Sequence, residues 1–240
     1  ENGEAEIAKN DIIANYPDSR YASILLNPDA DLGEDENSPE NIYESLYKKF
    51  ENEEYASVIE QCDTYISRFD GEKIVPKFEF LKAVSKARLY GFESYNESIN
   101  YIALNYPNSP EGAKAQDMLK NAMPLLSKSE FSSNDASKHF KAIYKFVDAE
   151  DEEIDAFYKK LNEAITKIDY FELTTSKDIY NENTIFIVVH GLKSIQAANG
   201  FGEFLKDKKQ TINKEHFGVS SQNYQIIQIH KNLDEYLKSL

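Results

Sequence analysis

At 240 residues, 41% of them hydrophobic, the chain is long enough for one large domain or two small ones and apolar enough to bury a core, which excludes a disordered chain. Its formal charge of −15 is uneven: residues 1–133 carry 13 basic against 25 acidic groups, residues 134–240 carry 14 against 17, so a polyanion is repelled by the first half. Nucleic acid and anionic membrane are therefore poor partners.

Ala5 to Asn15 reads as the tail of a helix, with Ile7, Ile12 and Ile13 on its apolar side and Pro17 as its stop. The start on Glu1 rather than Met gives the expectation of a piece excised from a longer protein, with any targeting or lipid signal upstream. No run approaches the roughly 20 apolar residues of a spanning helix. After a short segment at Tyr21–Leu26, Asn27 to Pro39 reads as a solvated acidic loop. Asp29, Asp31, Gly33, Asp35 and Glu40 come near the spacing of a calcium loop, but Glu34 stands where the sixth-position glycine is required.

From Pro39 the pattern becomes helical. Tyr43, Leu46, Tyr47 and Phe50 form one stripe; Tyr55, Val58, Ile59, Cys62, Ile66 and Phe69 form a second. A third helix runs from about Lys73 to Tyr90, its partner from Phe92 to Tyr106, and a last one from Ser109 to Leu126, capped by Asn108 or Ser109. A shift of 37 residues superposes Tyr55 on Phe92, Cys62 on Ile99 and Phe69 on Tyr106, close to the about 34 residues of a tetratricopeptide repeat. The phrase Asn15-Tyr16-Pro17-Asp18-Ser19 also returns as Asn105-Tyr106-Pro107-Asn108-Ser109, with Ser67 to Glu72 in the equivalent place between them. Cys62, the single cysteine, falls on a helix face and reads as a small buried apolar residue.

Ser127 to Ser137 is Ser-rich and reads as a linker. Beyond it Phe140, Ala142, Tyr144 and Phe146 alternate as in a strand. The acidic run Asp148 to Glu153 heads a helix carrying Ile154, Phe157, Tyr158, Leu161, Ile165 and Ile168, and its charges suit the helix dipole. Tyr170 to Thr174 is expected as a second strand, and Ile185 to Val189 as a central strand buried on both faces and ended by Gly191. Ser194 to Leu205 reads as one helix and His216 to Ser220 as an edge strand. Strand, helix, strand, strand, helix, strand is the order of a ferredoxin-like sandwich. The tail fits strand or helix, with Leu233, Tyr236 and Leu237 favouring a helix at the end.

The histidines, His139, His190, His216 and His230, stand far apart without partners at metal-ligand spacing, and no nucleophile elbow, phosphate loop or zinc-protease signature occurs. His190 ends a strand, where active sites tend to lie; Glu172 or Asp178 is the carboxylate an enzyme would pair with it.

Three phrases add to this reading: Val75-Pro76-Lys77-Phe78-Glu79-Phe80-Leu81-Lys82-Ala83, Asn105 to Gly112, and the ending Gln228 to Leu237. Together they resemble the C-terminal part of the SprE/PorW proteins, tetratricopeptide lipoproteins of the gliding-motility and type IX secretion apparatus of the Bacteroidetes. The resemblance implies a periplasmic protein held at the outer membrane by an N-terminal lipid and linking a motor complex to the outer-membrane translocon. Cys62, mid-helix, is no lipid-bearing residue. The Val189-His190-Gly191-Leu192-Lys193-Ser194 turn is also similar to the SPOR domain, which implies a sheet face that grips peptidoglycan.

The sequence thus predicts a TPR-like helical repeat region over 1–126, a linker over 127–137 and an α+β ferredoxin-like or SPOR-like domain over 138–240. The expected function is that of a non-enzymatic scaffold for protein secretion and gliding motility, acting through protein–protein interactions, with peptidoglycan binding as the alternative. No catalytic, cofactor-binding or metal-binding residue is assigned, no cofactor is expected, and the partner-binding residues stay open.

Overall fold

The computed structural model describes residues 2–15, 22, 25–26, 37–168, 172–210 and 212–240. Among them are twelve α-helices and one four-stranded antiparallel sheet, a helical region followed by an α+β region. The turn at Tyr16–Ser19 and the acidic loop at 27–36 lie outside the described residues, as does the start of the strand expected at Tyr170.

The chain divides into two compact units: Glu1–Ser85 with Ser98–Met118, and Lys86–Glu97 with Leu119–Leu240. This differs from the expected segments, because the turn between two helices folds with the second unit. There Tyr90 OH donates to Glu182, and the Phe92 ring lies 5.4 Å from that of His230.

The helices of the first half are α1 (Asn2–Asn15), α2 (Pro39–Glu51), α3 (Tyr55–Arg68), α4 (Val75–Tyr90), α5 (Phe92–Asn105), α6 (Pro110–Asn121) and α7 (Met123–Leu126). Serine and proline set the starts of α2 and α6. Ser38 Oγ accepts from Asn41 N–H at 3.2 Å ahead of Pro39, and Ser109 Oγ accepts from Gly112 N–H at 2.9 Å ahead of Pro110. Two of the three pairs of the 37-residue register share their burial: Tyr55 and Phe92 are nearly covered and Cys62 and Ile99 wholly so, whereas Phe69 is buried and Tyr106 only half-buried.

In the first unit the core gathers Ile42, Leu46, Val58, Cys62, Phe69, Val75, Phe78 and Leu81. Phe78 is its centre, stacked on Tyr65 and Phe69 and meeting Tyr43 edge-on at 5.6 Å. The α2 stripe is narrower than predicted, since Tyr47 is 44% exposed while Ile42, five residues back, is buried in its stead. The helix expected over Ser109–Leu126 is two, and Ala113 points outward; Gly112 and Ala115 form the inner face. A Cβ at Gly112 would sit 1.8 Å from the Tyr106 carbonyl oxygen, so only glycine permits this approach.

Burial pushes the Cys62 thiol up to about 12, leaving it an inert packing group. Glu79, 5% exposed, is held by Lys82 Nζ at 2.7 Å, and Lys82 also reaches Asp63 at 3.0 Å. Burial alone would lower the Lys82 ammonium, but the bonds to Glu79 and Asp63 outweigh it and hold the group above its ordinary value.

The second half continues with β1 (Phe140–Val147), α8 (Asp151–Lys167), β2 (Thr174–Asn181), β3 (Thr184–Leu192), α9 (Ile195–Asn199), α10 (Phe201–Asp207), β4 (Phe217–Ser220), α11 (Ser221–His230) and α12 (Leu233–Lys238). The strands lie in the order β2-β3-β1-β4, with Ile143 opposite Val188 and Tyr144 opposite Ile187. One face, with Phe140, Ala142, Tyr144, Phe146, Ile187 and Val189, packs against α8, α9 and α10. The other, with Ile143, Tyr180, Phe186, Val188 and Val219, is covered by Tyr224 and Ile227 of α11 and Leu233 and Tyr236 of α12. Phe186 to Val189 have no exposed surface, as the central-strand reading requires.

Two expectations need correction here, and the open choice at the tail is decided. The second strand is Thr174–Asn181 rather than Tyr170–Thr174: Glu172 and Leu173 precede the ladder, and the strand turns into β3 through Glu182 and Asn183. Its sequence is polar because it is an edge strand with only Tyr180 fully buried. The helix over Ser194–Leu205 breaks at Gly200 into α9 and α10, and the tail is helical throughout α11 and α12.

Lys82→Met is expected to cost the chain about 3 kcal/mol in chemical denaturation, because it strands the buried Glu79 carboxylate. Adding Glu79→Met to that variant should restore most of the loss; a single variant as stable as the parent would show that the pair does not matter.

Candidate functional site

Alternation along the strands sends Lys141 of β1, Ser176 and Asp178 of β2 and His190 of β3 to the face covered by α11, beside the apolar residues just described. Helical spacing places Tyr224 and Gln228 of α11 one above the other on the same side. Ser220 caps this helix, its Oγ accepting from Asn223 N–H at 3.2 Å, which fixes where the helix begins above the sheet.

The polar groups join in two chains. Lys141 Nζ lies 2.7 Å from His190 Nδ1, and Ser176 Oγ lies 2.8 Å from His190 Nε2. Tyr224 OH donates to Asp178 Oδ2 at 2.5 Å and accepts from Gln228 Nε2 at 2.9 Å. The Lys141 ammonium stands 5.4 Å from the Tyr224 ring centroid and links the two chains.

The charges are partly buried, and burial shifts their ionisation. Burial and then the Lys141 ammonium hold the His190 imidazole below its ordinary value, with Asp178 opposing them. Burial lowers Lys141 as well, again opposed by Asp178. Burial, reinforced by the Asp178 carboxylate, raises the Tyr224 phenol.

A serine hydroxyl hydrogen-bonded to an imidazole has the connectivity of an activated nucleophile, but the third member reverses the protonation. An ammonium only donates, so the His190 nitrogen facing it carries the lone pair and the ring proton sits on Nε2. Nε2 then donates to Ser176 and cannot take its proton. In a Ser-His-Asp arrangement the third group is an anion that stabilises the imidazolium; here it is a cation that opposes it. The arrangement orients and rigidifies, and it does not activate Ser176.

The carboxylates considered for His190 separate. Asp178 acts on it electrostatically within this cluster. Glu172 instead pairs with Lys193 at 2.6 Å in an exposed bridge. Its backbone oxygen lies 2.1 Å from where a Cβ on Gly191 would be, and Gly191 has φ +92°, so this strand end requires glycine. The other histidines stand elsewhere. His216 Nε2 contacts the Ala198 carbonyl at 3.1 Å with its ring against Tyr144, His230 Nε2 contacts the Lys128 carbonyl at 3.1 Å, and His139 is exposed. Among the described residues no group of three or more His, Cys, Asp or Glu is placed to hold a metal ion, and no helix is long and apolar enough to cross a membrane.

Sequence reasoning reached His190 and Asp178 but missed Lys141, Ser176, Tyr224 and Gln228. The available signal was the pair of spacings, two residues from Ser176 to Asp178 in a strand and four from Tyr224 to Gln228 in a helix. Neither can be used until β2 is placed over Thr174–Asn181.

No protein-family model matches the chain, and no curated protein shows significant similarity to it.

Ser176 is expected to resist a fluorophosphonate probe at neutral pH, with no adduct by mass spectrometry of the intact chain. Labelling that Ser176→Ala abolishes would contradict the protonation assigned to His190.

Proposed function

We propose that the protein is a non-enzymatic scaffold of the SprE/PorW type, in which tetratricopeptide-like hairpins and a ferredoxin-like domain present surfaces to other proteins. The single observation that carries this reading is the repeated hairpin. Helices α2 and α3 recur in spacing as α4 and α5 about 36 residues later (39 to 75, 55 to 92), with Tyr55 and Phe92, and Cys62 and Ile99, buried alike. Hairpins of this kind pile into ridged surfaces whose work is recognition. The order βαββαβ and the strand order β2-β3-β1-β4 support the ferredoxin-like assignment of the second part.

On this reading the chain belongs to a periplasmic lipoprotein at the outer membrane, and its partners are the motor complex and the translocon of the type IX secretion and gliding machinery. Its uneven negative charge favours partners with basic surfaces. The peptidoglycan alternative finds less support. A SPOR-like module needs an open sheet face, and here α11 and α12 pack on Ile143, Phe186, Val188 and Val219.

Pull-down from cell envelopes with this chain should enrich both motor and translocon components over a control with its exposed tyrosines and acidic side chains scrambled. Enrichment of neither, together with co-sedimentation of the chain with purified sacculi, would replace the scaffold by the peptidoglycan reading.

A further inference from the structure

The polar line beneath α11 has no part in the scaffold reading, and its chemistry is the same whether or not the chain is a scaffold. His190 is held on both sides, by Lys141 Nζ at Nδ1 (2.7 Å) and by Ser176 Oγ at Nε2 (2.8 Å). The same Lys141 lies beside the Tyr224 ring, and Tyr224 is fastened to Asp178 at 2.5 Å. We propose that His190 is an acid-sensitive latch for α11: a proton taken from solvent on Nδ1 evicts the Lys141 ammonium, which then competes with Tyr224 for Asp178 and loosens the helix from the sheet.

Each step rests on the donors and acceptors present. Nδ1 accepts from the ammonium, and its lone pair is the only one left on the ring, since Nε2 carries the ring proton. Once Nδ1 is protonated, two cations face each other at hydrogen-bond distance without an acceptor between them. His190 is touched by Lys141 from β1 and Ser176 from β2, has Thr174 opposite in register and feels Asp178 of β2, while from α11 Tyr224 bonds Asp178, Gln228 bonds Tyr224 and Lys231 Nζ, just beyond the helix, reaches Gln228 at 3.2 Å. Asp178 is the only anion in this set. Both displaced cations are drawn to it, and its Oδ2 is the atom that holds Tyr224.

The latch is closed at neutral pH because burial and Lys141 keep the imidazole neutral below its ordinary 6.5. Its opening is confined to α11. Other ties hold the first turn of that helix and the helix after it: Asn223 bonds both the N–H and the carbonyl of Ser132 at 2.8 and 3.0 Å, and Tyr236 OH donates to the Gly218 carbonyl at 3.0 Å. Burial lowers His216 as well, but that ring sits on the opposite face against Tyr144 and Phe201, so its titration bears on that core.

The test is amide hydrogen exchange of the full chain at about pH 7.5 and at an acidic pH at which the His190 ring signals in NMR show it protonated, corrected for intrinsic rates, reading Tyr224–His230 relative to β1 and β3. The expected result is a loss of α11 protection of about tenfold or more on acidification, unmatched in β1 and β3. In His190→Gln the two pH values should give the same α11 protection. Lys141→Met, which removes the second cation, should blunt the loss and provides the comparison if His190→Gln does not fold. Equal protection at both pH values in the parent chain would overturn the latch, as would a loss that persists undiminished in either variant.

Discussion

The second part of the chain depends on one constraint: a four-stranded sheet whose second face is apolar must find a cover, and the chain supplies it from its own end. Phe186, Val188, Ile143 and Val219 would otherwise form an exposed patch. Tyr224, Ile227, Leu233 and Tyr236 close over them. Three tyrosine hydroxyls fix the cover in place: Tyr224 donates to Asp178, Tyr236 donates to the Gly218 carbonyl, and Tyr180 accepts from Leu233 N–H at 3.1 Å. Burial supplies most of the energy, and the hydroxyls supply position, since each bond adds roughly 1 kcal/mol net but admits one geometry.

This cover changes what the sheet is for. An uncovered face of this kind would be a binding surface, whereas here β2 and β4 remain as edges and the polar line at Lys141, His190, Ser176 and Asp178 lies at the margin of the packed area. A polar cluster half out of water must satisfy its own hydrogen bonds, and this one does so largely among its own members. Tyr144, on the opposite face, does not: its hydroxyl is buried without a protein partner, and burial raises it. The two faces therefore differ: on one a buried phenol is left without a protein partner, on the other the polar groups pair among themselves.

Much of this was legible in the residues themselves. The period of Tyr55, Val58, Cys62 and Phe69, and its return at Phe92, Ile99 and Tyr106, placed helices α3 and α5 because large apolar side chains recur at helical spacing. The unbroken run Ile185–Val189 marked the central strand because both its faces are buried. The edge strand was not legible, since Thr174–Asn181 buries one large side chain and is held by backbone pairing that leaves no hydrophobic trace. The site obeyed the same rule. His190 is conspicuous at a strand end; Lys141 and Ser176 read as solvated residues of half-buried strands, and only the position of α11 turns them into neighbours.

The most direct measurement on the central claim is the thermal unfolding of the chain lacking residues 221–240, monitored by near-ultraviolet circular dichroism with binding of an apolar dye in parallel. If the C-terminal helices are the obligatory cover, the shortened chain binds dye strongly and loses the cooperative transition of its α+β part, because Phe186, Val188 and Val219 are then open to water. A shortened chain that unfolds cooperatively near the parent's midpoint without binding dye would contradict the account.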